Sequence, residues 1–391
     1  MKPMAGITVL EFSTMVTGSL AAMMLAEQGA RVIKIEPLHL GDPMRYLGSR
    51  KGDISALFAN CNRGKESVRV DIKSDAGQAL IHDLIPKVDV LIHNFRPGSM
   101  DALNLGSDQL RSINPKLVFC AISGFGAEGP MQRSPAYDPT VQAFAGLAAV
   151  QGSDEEPAFF RTLMCDKITA YTACQAVTAA LFNRERLGEG THIDLSMLDA
   201  SLFFVFPDGY QNHTLLDEHE QQGLLIDNLY RLIQTKDGAV TISAGSADQQ
   251  LRFLSALNQA HLLEDERFNT FEKQLKNRGQ LLDLIAEDCL QYTSDELIAL
   301  LRKAEVPCAK CLTRDEALAS EQLAANDSTA IIEHPHLGKV RIVKAPPRFG
   351  GKRLEPSGFV PRHGEHSLSA LADLDIDRAR IDELRQAGIV S

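Results

Sequence analysis

Short apolar runs alternate with amphipathic stretches along the first half of the chain. Four runs typical of strands lie at Ile7 to Phe12, Arg31 to Glu36, Val88 to Phe95 and Leu117 to Ile122. Between them, Gly18 to Gln28 and Ser74 to Leu84 have the periodicity of helices, and Gly29 is a helix stop. This alternation predicts a parallel sheet with crossover helices, so we expect a Rossmann-like α/β domain.

The second half has a different pattern. Pro207 to Gly223 is polar and acidic, lacks apolar periodicity and predicts a boundary loop. Three amphipathic segments lie at Gln249 to Leu257, Gln280 to Leu290 and Asp295 to Lys303. They predict the helices of a smaller α+β domain. We therefore expect a large domain over residues 1–206, a linker over 207–224, a small α+β domain over 225–330, and an extended connection with a C-terminal helix over 331–391.

Charge and composition exclude several classes of protein. The chain has 391 residues, and its formal net charge of -11 argues against a nucleic-acid or anionic-membrane binder. No apolar run approaches the roughly 20 residues that span a bilayer, and Glu11 interrupts the N-terminal run. Seven cysteines without dense spacing are typical of reduced thiols. Together with the charge and the lack of a spanning apolar run, they predict no membrane partner and a cytoplasmic location.

Two motifs that could hold a cofactor or metal lack the required context. Gly124 to Gly129 matches G-x-G-x-x-G after a strand, but Pro130 follows where a dinucleotide site needs a helix to begin. Cys308 to Cys311 is the only C-x-x-C, and the two further ligands that zinc needs are not evident. We therefore predict no metal and no permanently bound cofactor.

Asp166 stands at the predicted start of a long helix that runs to Gly188. An aspartate in that position is most often an N-cap, worth about 1 kcal/mol. The alternative is a nucleophile, because a carboxylate that is ionised at neutral pH can attack an activated acyl group without a general base. Both interpretations are open on spacing alone.

Two further clusters could bind a small ligand. Asn94 to Gly98 ends a predicted strand and places an amide, an aromatic ring and a guanidinium at the edge where ligands bind in parallel sheets. A local group of cations suits a phosphorylated ligand, and its members are Arg63, Lys65, Arg69 and Lys73. An ordinary loop and a solvated charged face are the competing interpretations.

Taken together, these segments resemble the class III coenzyme A transferases, which include formyl-CoA:oxalate and carnitine CoA-transferases. The likeness runs nearly end to end. It rests on segments at residues 6–12, 29–36, 60–65, 70–73, 94–98 and 122–126, and further on at 137–138, 187–194 and 364–367. Val16 stands where the formyl-CoA enzymes carry glutamine, so oxalate is not predicted as the acceptor.

The resemblance implies that Asp166 is the nucleophile. It also implies that coenzyme A or acyl-CoA binds as a substrate, along Val16, Thr17, Val70, Asp71, Ile72, Lys73, Asn94, Phe95, Arg96, Tyr137 and Asp138. By the same resemblance, two subunits interlock as a homodimer and residues 339–391 return to the large domain. A covalent acyl intermediate needs protection from water, so the acidic loop over 207–224 is a candidate lid.

The expected function is transfer of coenzyme A from an acyl-CoA thioester to a small carboxylic acid through an aspartyl intermediate. A rival within the resemblance is an α-methylacyl-CoA racemase, which pairs the aspartate with a histidine that precedes a second aspartate. Here Tyr137 precedes Asp138, and a tyrosine with a pKa of about 10 is a poor base at neutral pH. A non-catalytic acyl-CoA-binding homologue is the alternative from another class of protein.

Overall fold

The computed structural model of the protein describes residues 2–217 and 230–391. Within these residues the strands are β1 Thr8–Phe12, β2 Arg31–Glu36, β3 Arg50–Lys51, β4 Ile54–Ser55, β5 Lys65–Arg69, β6 Val90–His93, β7 Val118–Ser123, β8 His192–Ser196, β9 Ile233–Gln234, β10 Ala239–Ile242, β11 Cys308–Lys310, β12 Thr329–His334, β13 Gly338–Val343, β14 Arg348–Phe349 and β15 Lys352–Arg353.

The α-helices of the same residues are α1 Thr17–Glu27, α2 Ala56–Asn62, α3 Asp75–Leu84, α4 Ser107–Ile113, α5 Asp138–Phe144, α6 Leu147–Gln151, α7 Met164–Leu187, α8 Met197–Gly209, α9 Ala247–Ala256, α10 Phe271–Lys276, α11 Arg278–Cys289, α12 Ser294–Lys303, α13 Arg314–Ala319, α14 Glu321–Ala325, α15 Ser367–Asp373 and α16 Arg378–Gln386. None of these helices combines the length and the apolar character needed to span a bilayer.

Six strands form one parallel sheet in the order β5-β2-β1-β6-β7-β8. Thr8 of β1 pairs with Arg31 of β2, and Val9 of β1 pairs with Val90 of β6. The chain therefore winds outward in one direction from β1 and in the other from β6. This is the doubly wound order of Rossmann folds, in which ligands bind where the winding direction reverses, beyond the carboxyl ends of β1 and β6. The predicted parallel α/β sheet is confirmed.

The central strands are buried on both faces, which explains their continuous apolar runs. Val9, Leu10 and Phe12 of β1 are buried, as are all four residues of β6. Charged residues interrupt this pattern on neighbouring strands, where Glu11 of β1 and Lys34 of β2 are fully buried and form an ion pair. The apolar pattern of the central strands is thus broken by buried charges that need partners.

The chain divides into two compact units, Met1–Phe204 with Ala324–Ser391, and Val205–Leu323. In the first unit, the C-terminal segment returns to the sheet, because α15 packs against β5 and Val390 forms an isolated bridge with Val70. Side chains of this segment, including Leu371 and Leu384, belong to the same buried cluster as Leu10 of β1.

The second unit contains the antiparallel sheet β11-β10-β9, with buried side chains from its strands and from α9, α11 and α12. The predicted loop over 207–224 differs from the structure at its start, since α8 continues through Pro207 to Gly209. The apolar run 202–206 extends the helix, and the missing N–H of Pro207 costs only one hydrogen bond near its end. Residues 218–224 of that loop lie outside the described residues.

Leu371→Ala tests whether the C-terminal segment is part of the large core. Leu371 is 1% exposed within the buried cluster, so its truncation should lower the free energy of unfolding by about 2–5 kcal/mol. Leu187→Ala is the matched control, because that leucine is 70% exposed. Urea denaturation with equal midpoints for both variants would show that the segment does not stabilise the fold.

Candidate active site

Residues that follow the two central strands are joined by hydrogen bonds. The Thr14 N–H, just beyond β1, donates to Oδ1 of Asn94 at 3.0 Å, and Nδ2 of Asn94, just beyond β6, donates to the Thr14 carbonyl at 2.7 Å. These two bonds connect the carboxyl ends of β1 and β6 at the point where the winding reverses. The predicted ligand residue Asn94 therefore lies at the expected ligand edge of the sheet.

The turn between β1 and α1 carries the next candidate residues. Met15 adopts a left-handed backbone conformation with φ of 59°, which is costly for a non-glycine residue and is concentrated at functional sites. α1 then begins at Thr17, and its N-cap Val16 makes no side-chain capping bond. The first-turn N–H groups of α1 are thus left without a side-chain cap.

Asp166 is the third residue of α7 and not its cap. The helix begins at Met164, with Leu163 as an N-cap that makes no side-chain hydrogen bond. The Asp166 carboxylate instead accepts a hydrogen bond from the Thr17 hydroxyl of α1. The capping interpretation is therefore wrong, and the side chain is directed toward α1 at the carboxyl edge of the sheet.

A second carboxylate holds the Asp166 backbone. The Asp166 N–H donates to Oδ2 of Asp138 at 3.0 Å, and Nε2 of Gln142 donates to Oδ1 of Asp138 at 2.6 Å. Asp138 is the first residue of α5 and is only 2% exposed. Gln142 also bonds the carbonyls of Phe160 and Thr162, so the segment that leads into α7 is fixed by the same pair of side chains.

The environment of Asp166 changes its acidity. Burial raises the pKa of the Asp166 carboxyl above its ordinary value, and the charge of Asp138 adds to the increase. The hydrogen bond from Thr17 and the charge of Lys167 act in the opposite direction and offset only part of it. A desolvated carboxylate in a first helical turn, where the helix dipole favours negative charge, suits nucleophilic attack on an acyl group.

The structure brings four of the predicted residues together near this carboxylate. Val16 and Thr17 belong to the start of α1, Asn94 connects to the same turn, and Asp138 holds Asp166. Tyr137 precedes α5 and is exposed.

The predicted segment Val70 to Lys73 lies beyond the edge strand β5. Val70 is buried in the large core, and the Asp71 N–H donates to the Ile389 carbonyl at 2.9 Å. Ile72 packs partly buried against the same core, whereas Lys73 is exposed.

The predicted segment beyond β6 is similar. Phe95 packs partly buried against the large core, and its ring lies beside His93 with centroids 6.1 Å apart. Arg96 is exposed. Lys73 and Arg96 are therefore the cations of these two segments that are open to a ligand.

The prediction that a local group of cations binds phosphate is wrong for two of its members, Arg63 and Lys65. Nε of Arg63 donates to Oε1 of Glu27 at 2.7 Å, and Nζ of Lys65 lies 2.6 Å from Oε2 of Glu11, with all of these side chains buried. Sequence proximity placed these cations together, but strand alternation turns Lys65 inward, where a buried carboxylate neutralises it.

Sequence reasoning missed Gln142 and the positioning role of Asp138. The spacing of Asp138 and Gln142, four residues apart at the start of a helix, places them on one face and was a usable signal. Among residues 2–217 and 230–391, no group of three or more His, Cys, Asp or Glu side chains is arranged to hold a metal ion.

Comparison with known proteins gives consistent results. The chain matches the model of CoA-transferase family III over residues 4–367. The succinyl-CoA–D-citramalate CoA-transferase of Chloroflexus aurantiacus is 30% identical over 383 residues, which cover 95% of this chain and 94% of that protein. The succinyl-CoA:glutarate CoA-transferase of Homo sapiens is 27% identical over 394 residues, which cover 100% and 90%. A crystal structure of a CAIB/BAIF family protein from Brucella suis has a TM-score of 0.83 at 30% identity, covering 96% of this chain and 100% of that one.

Asp166→Asn should stabilise the protein at neutral pH. The folded-state pKa of Asp166 lies above its unfolded value, so the ionised carboxyl is less favourable in the folded protein. Its destabilising effect is full above the folded pKa and vanishes below the unfolded pKa. The melting temperature of the variant should therefore exceed that of the wild type at about pH 7, and the gain should disappear toward about pH 4.

Asp154→Asn, in an exposed stretch, is the matched control and should change the melting temperature little at either pH. A destabilised Asp166→Asn variant at neutral pH would contradict the described desolvation of this carboxyl.

Proposed function

Because the chain belongs to CoA-transferase family III, we propose that it moves coenzyme A from an acyl-CoA thioester to a free carboxylate through covalent intermediates on Asp166. The observation that carries this proposal is the Asp166 carboxylate itself. It is desolvated, bonded to the hydroxyl of Thr17 at the start of α1, and held through its backbone by Asp138.

The proposed reaction has four balanced steps. An Asp166 oxygen attacks the donor carbonyl, forms a mixed anhydride and releases the coenzyme A thiolate. The thiolate attacks the aspartyl carbonyl, which gives an aspartyl thioester and releases the donor as a carboxylate. The acceptor carboxylate attacks this thioester to form a second anhydride and frees the thiolate again. The thiolate then attacks the acceptor carbonyl, which yields the new acyl-CoA and regenerates the Asp166 carboxylate.

Each attack produces a tetrahedral oxyanion that needs hydrogen-bond donors. The first-turn N–H groups of α1 are the candidates, because Val16 provides no side-chain cap and Thr17 lies against Asp166. Donors fixed in a helix cost no reorganisation during the reaction. The Thr17 hydroxyl also orients the carboxylate before attack.

The predicted coenzyme A contacts stay part of the proposal. Lys73 and Arg96 are exposed cations beyond the carboxyl ends of β5 and β6, so they can pair with phosphates. Val70 is buried and Ile72 and Phe95 pack on the core, so these residues would contact the ligand through their backbones or partly exposed edges. Both carboxylate oxygens of Asp138 already accept protein donors, which makes it a positioning residue here.

For the substrates, we propose succinyl-CoA as the donor and a second dicarboxylate as the acceptor. The two relatives described above are named for succinyl-CoA and for D-citramalate or glutarate. We also propose a cytoplasmic location, which is supported by seven free cysteines, five of them buried.

We further propose an interlocked homodimer. Aromatic side chains that a monomer would leave in water support it, since Phe182 of α7 is 66% exposed and Phe203 of α8 is 84% exposed. Contiguous apolar patches on a surface mark protein interfaces, and the proposal assigns these two side chains to such a patch.

Phe182→Asp combined with Phe203→Asp should disrupt this dimer, because charges buried in an interface are costly. Light scattering coupled to size exclusion should give the mass of a dimer for the wild type and of a monomer for the variant. Leu40→Asp, also at an exposed leucine, is the control and should stay dimeric. A monomeric wild type would refute the dimer.

Asp166→Ala should abolish transfer from succinyl-CoA to glutarate or D-citramalate, because no other group replaces the nucleophile. In the wild type, hydroxylamine should trap an acyl adduct that maps to the peptide containing Asp166. Full activity in the variant, with no trapped adduct in the wild type, would end the proposal.

Two further measurements distinguish the alternative functions. Incorporation of deuterium at the α-carbon of a branched acyl-CoA in heavy water, without transfer, would indicate a racemase. Saturable binding of coenzyme A without exchange across a panel of carboxylates would indicate a non-catalytic binder.

A further inference from the structure

Four fully buried charged side chains lie beneath the β1–α1 turn and are called here the charge cluster: Glu11, Lys34, Asp42 and Lys65. Nζ of Lys34 lies 2.7 Å from Oε1 of Glu11 and 3.1 Å from Oδ2 of Asp42. Nζ of Lys65 lies 2.6 Å from Oε2 of Glu11. The two cations and two carboxylates balance one another.

Stability alone is a weak explanation for such a cluster. Removing four charged groups from water carries a large desolvation penalty, and apolar side chains of similar volume often serve a core equally well. The hydrogen bonds that the cluster makes to the backbone therefore indicate what it does.

These hydrogen bonds converge on the turn that leads into α1. Nζ of Lys34 donates to the Ser13 carbonyl at 2.8 Å, and the Met15 N–H donates to Oδ1 of Asp42 at 3.1 Å. Nζ of Lys65 donates to the Ser19 carbonyl inside the first turn of the helix at 2.8 Å. The charge cluster thus forms hydrogen bonds to the backbone before the left-handed residue Met15, at Met15 itself and after it.

Two residues after Met15, Thr17 contacts the candidate nucleophile Asp166. Thr14 is fixed to Asn94 by two hydrogen bonds, Met15 is held at φ of 59°, and Thr17 then donates to Asp166. A charged donor or acceptor in a low-dielectric interior bonds more strongly than a neutral one. An apolar core could fill this volume but could not fix backbone polar groups.

We propose that the charge cluster is a positioning device, with Lys34 and Asp42 holding the β1–α1 turn so that Thr17 and the first-turn N–H groups of α1 meet the Asp166 carboxylate. The cluster touches no reacting atom and acts through the turn. This inference rests on the proposed transferase function for its kinetic test.

The double variant Lys34→Met with Asp42→Asn tests the proposal without leaving an unbalanced charge. It removes one cation and one anion, keeps the pair of Glu11 with Lys65, and deletes the donor to the Ser13 carbonyl. A misplaced reacting group commonly costs up to about 100-fold in rate, so kcat should fall by about 10- to 100-fold while KM for acyl-CoA changes by less than about threefold.

A second charge-balanced double variant is the matched control. Arg63→Met with Glu27→Gln removes another buried ion pair, at the other end of α1 and away from the turn. Its kcat should stay within about twofold of the wild type, because it changes buried charge but none of the bonds to the turn.

Asp42→Asn alone separates positioning from stability. The amide oxygen can still accept the Met15 N–H, and Lys34 still donates to Ser13, but one buried charge is left unbalanced. This variant should melt below the Lys34→Met, Asp42→Asn double variant and yet have the higher kcat. If kcat instead follows melting temperature across the variants, or if the two double variants have equal kcat, the positioning role is refuted.

A readout independent of activity distinguishes this inference from the proposed function. Hydrogen exchange in the peptide that spans residues 13–18 should be faster in the Lys34→Met, Asp42→Asn protein and unchanged in the control. Unchanged exchange would overturn the positioning role even if transfer is normal. A wild type that transfers nothing would overturn the proposed function and leave the exchange result to decide this inference. Should the double variant fail to fold, Asp42→Ala, which deletes the acceptor of the Met15 N–H, should give the same acceleration and loss of kcat.

Discussion

The site depends on how one carboxylate is held between three helices. The backbone N–H of Asp166 in α7 donates a hydrogen bond to Asp138 at the start of α5. The Asp166 carboxylate accepts a hydrogen bond from the Thr17 hydroxyl at the start of α1. Burial raises the pKa of the Asp166 carboxyl, so the protein maintains this group against a cost in stability. Such a cost is common where a residue is kept for chemistry, because optimal stability and function impose different requirements.

The parallel sheet determines where these helices meet. The winding reverses between β1 and β6, and in doubly wound sheets ligands bind beyond the carboxyl ends of the strands at this point. Thr14 and Asn94 join the ends of these two strands, and α1 begins beside this junction. Beneath it, the charge cluster fixes the backbone of the same turn, so the sheet, the turn and the carboxylate form one continuous set of contacts.

Much of this arrangement could be predicted from sequence, and the exceptions have a physical cause. Apolar runs with intervening amphipathic segments predict the parallel sheet, since both signals are local in the chain. Asp166 stood out as a candidate, but periodicity could not distinguish a helix cap from a nucleophile. That distinction depends on the contact with Thr17, which lies 149 residues earlier in the chain. Arg63 and Lys65 looked like a phosphate site because their buried carboxylate partners, Glu27 and Glu11, come from other elements of the fold.

The central claim, that Asp166 exchanges an oxygen with the substrates, can be measured directly by isotope transfer. In the proposed sequence of steps, an acceptor labelled with heavy oxygen in its carboxylate leaves one labelled oxygen on Asp166 when the second anhydride is cleaved by the thiolate. After turnover in ordinary water, mass spectrometry of the digested enzyme should find the label in the peptide that contains Asp166. Sustained turnover with no label in that peptide would contradict the covalent mechanism.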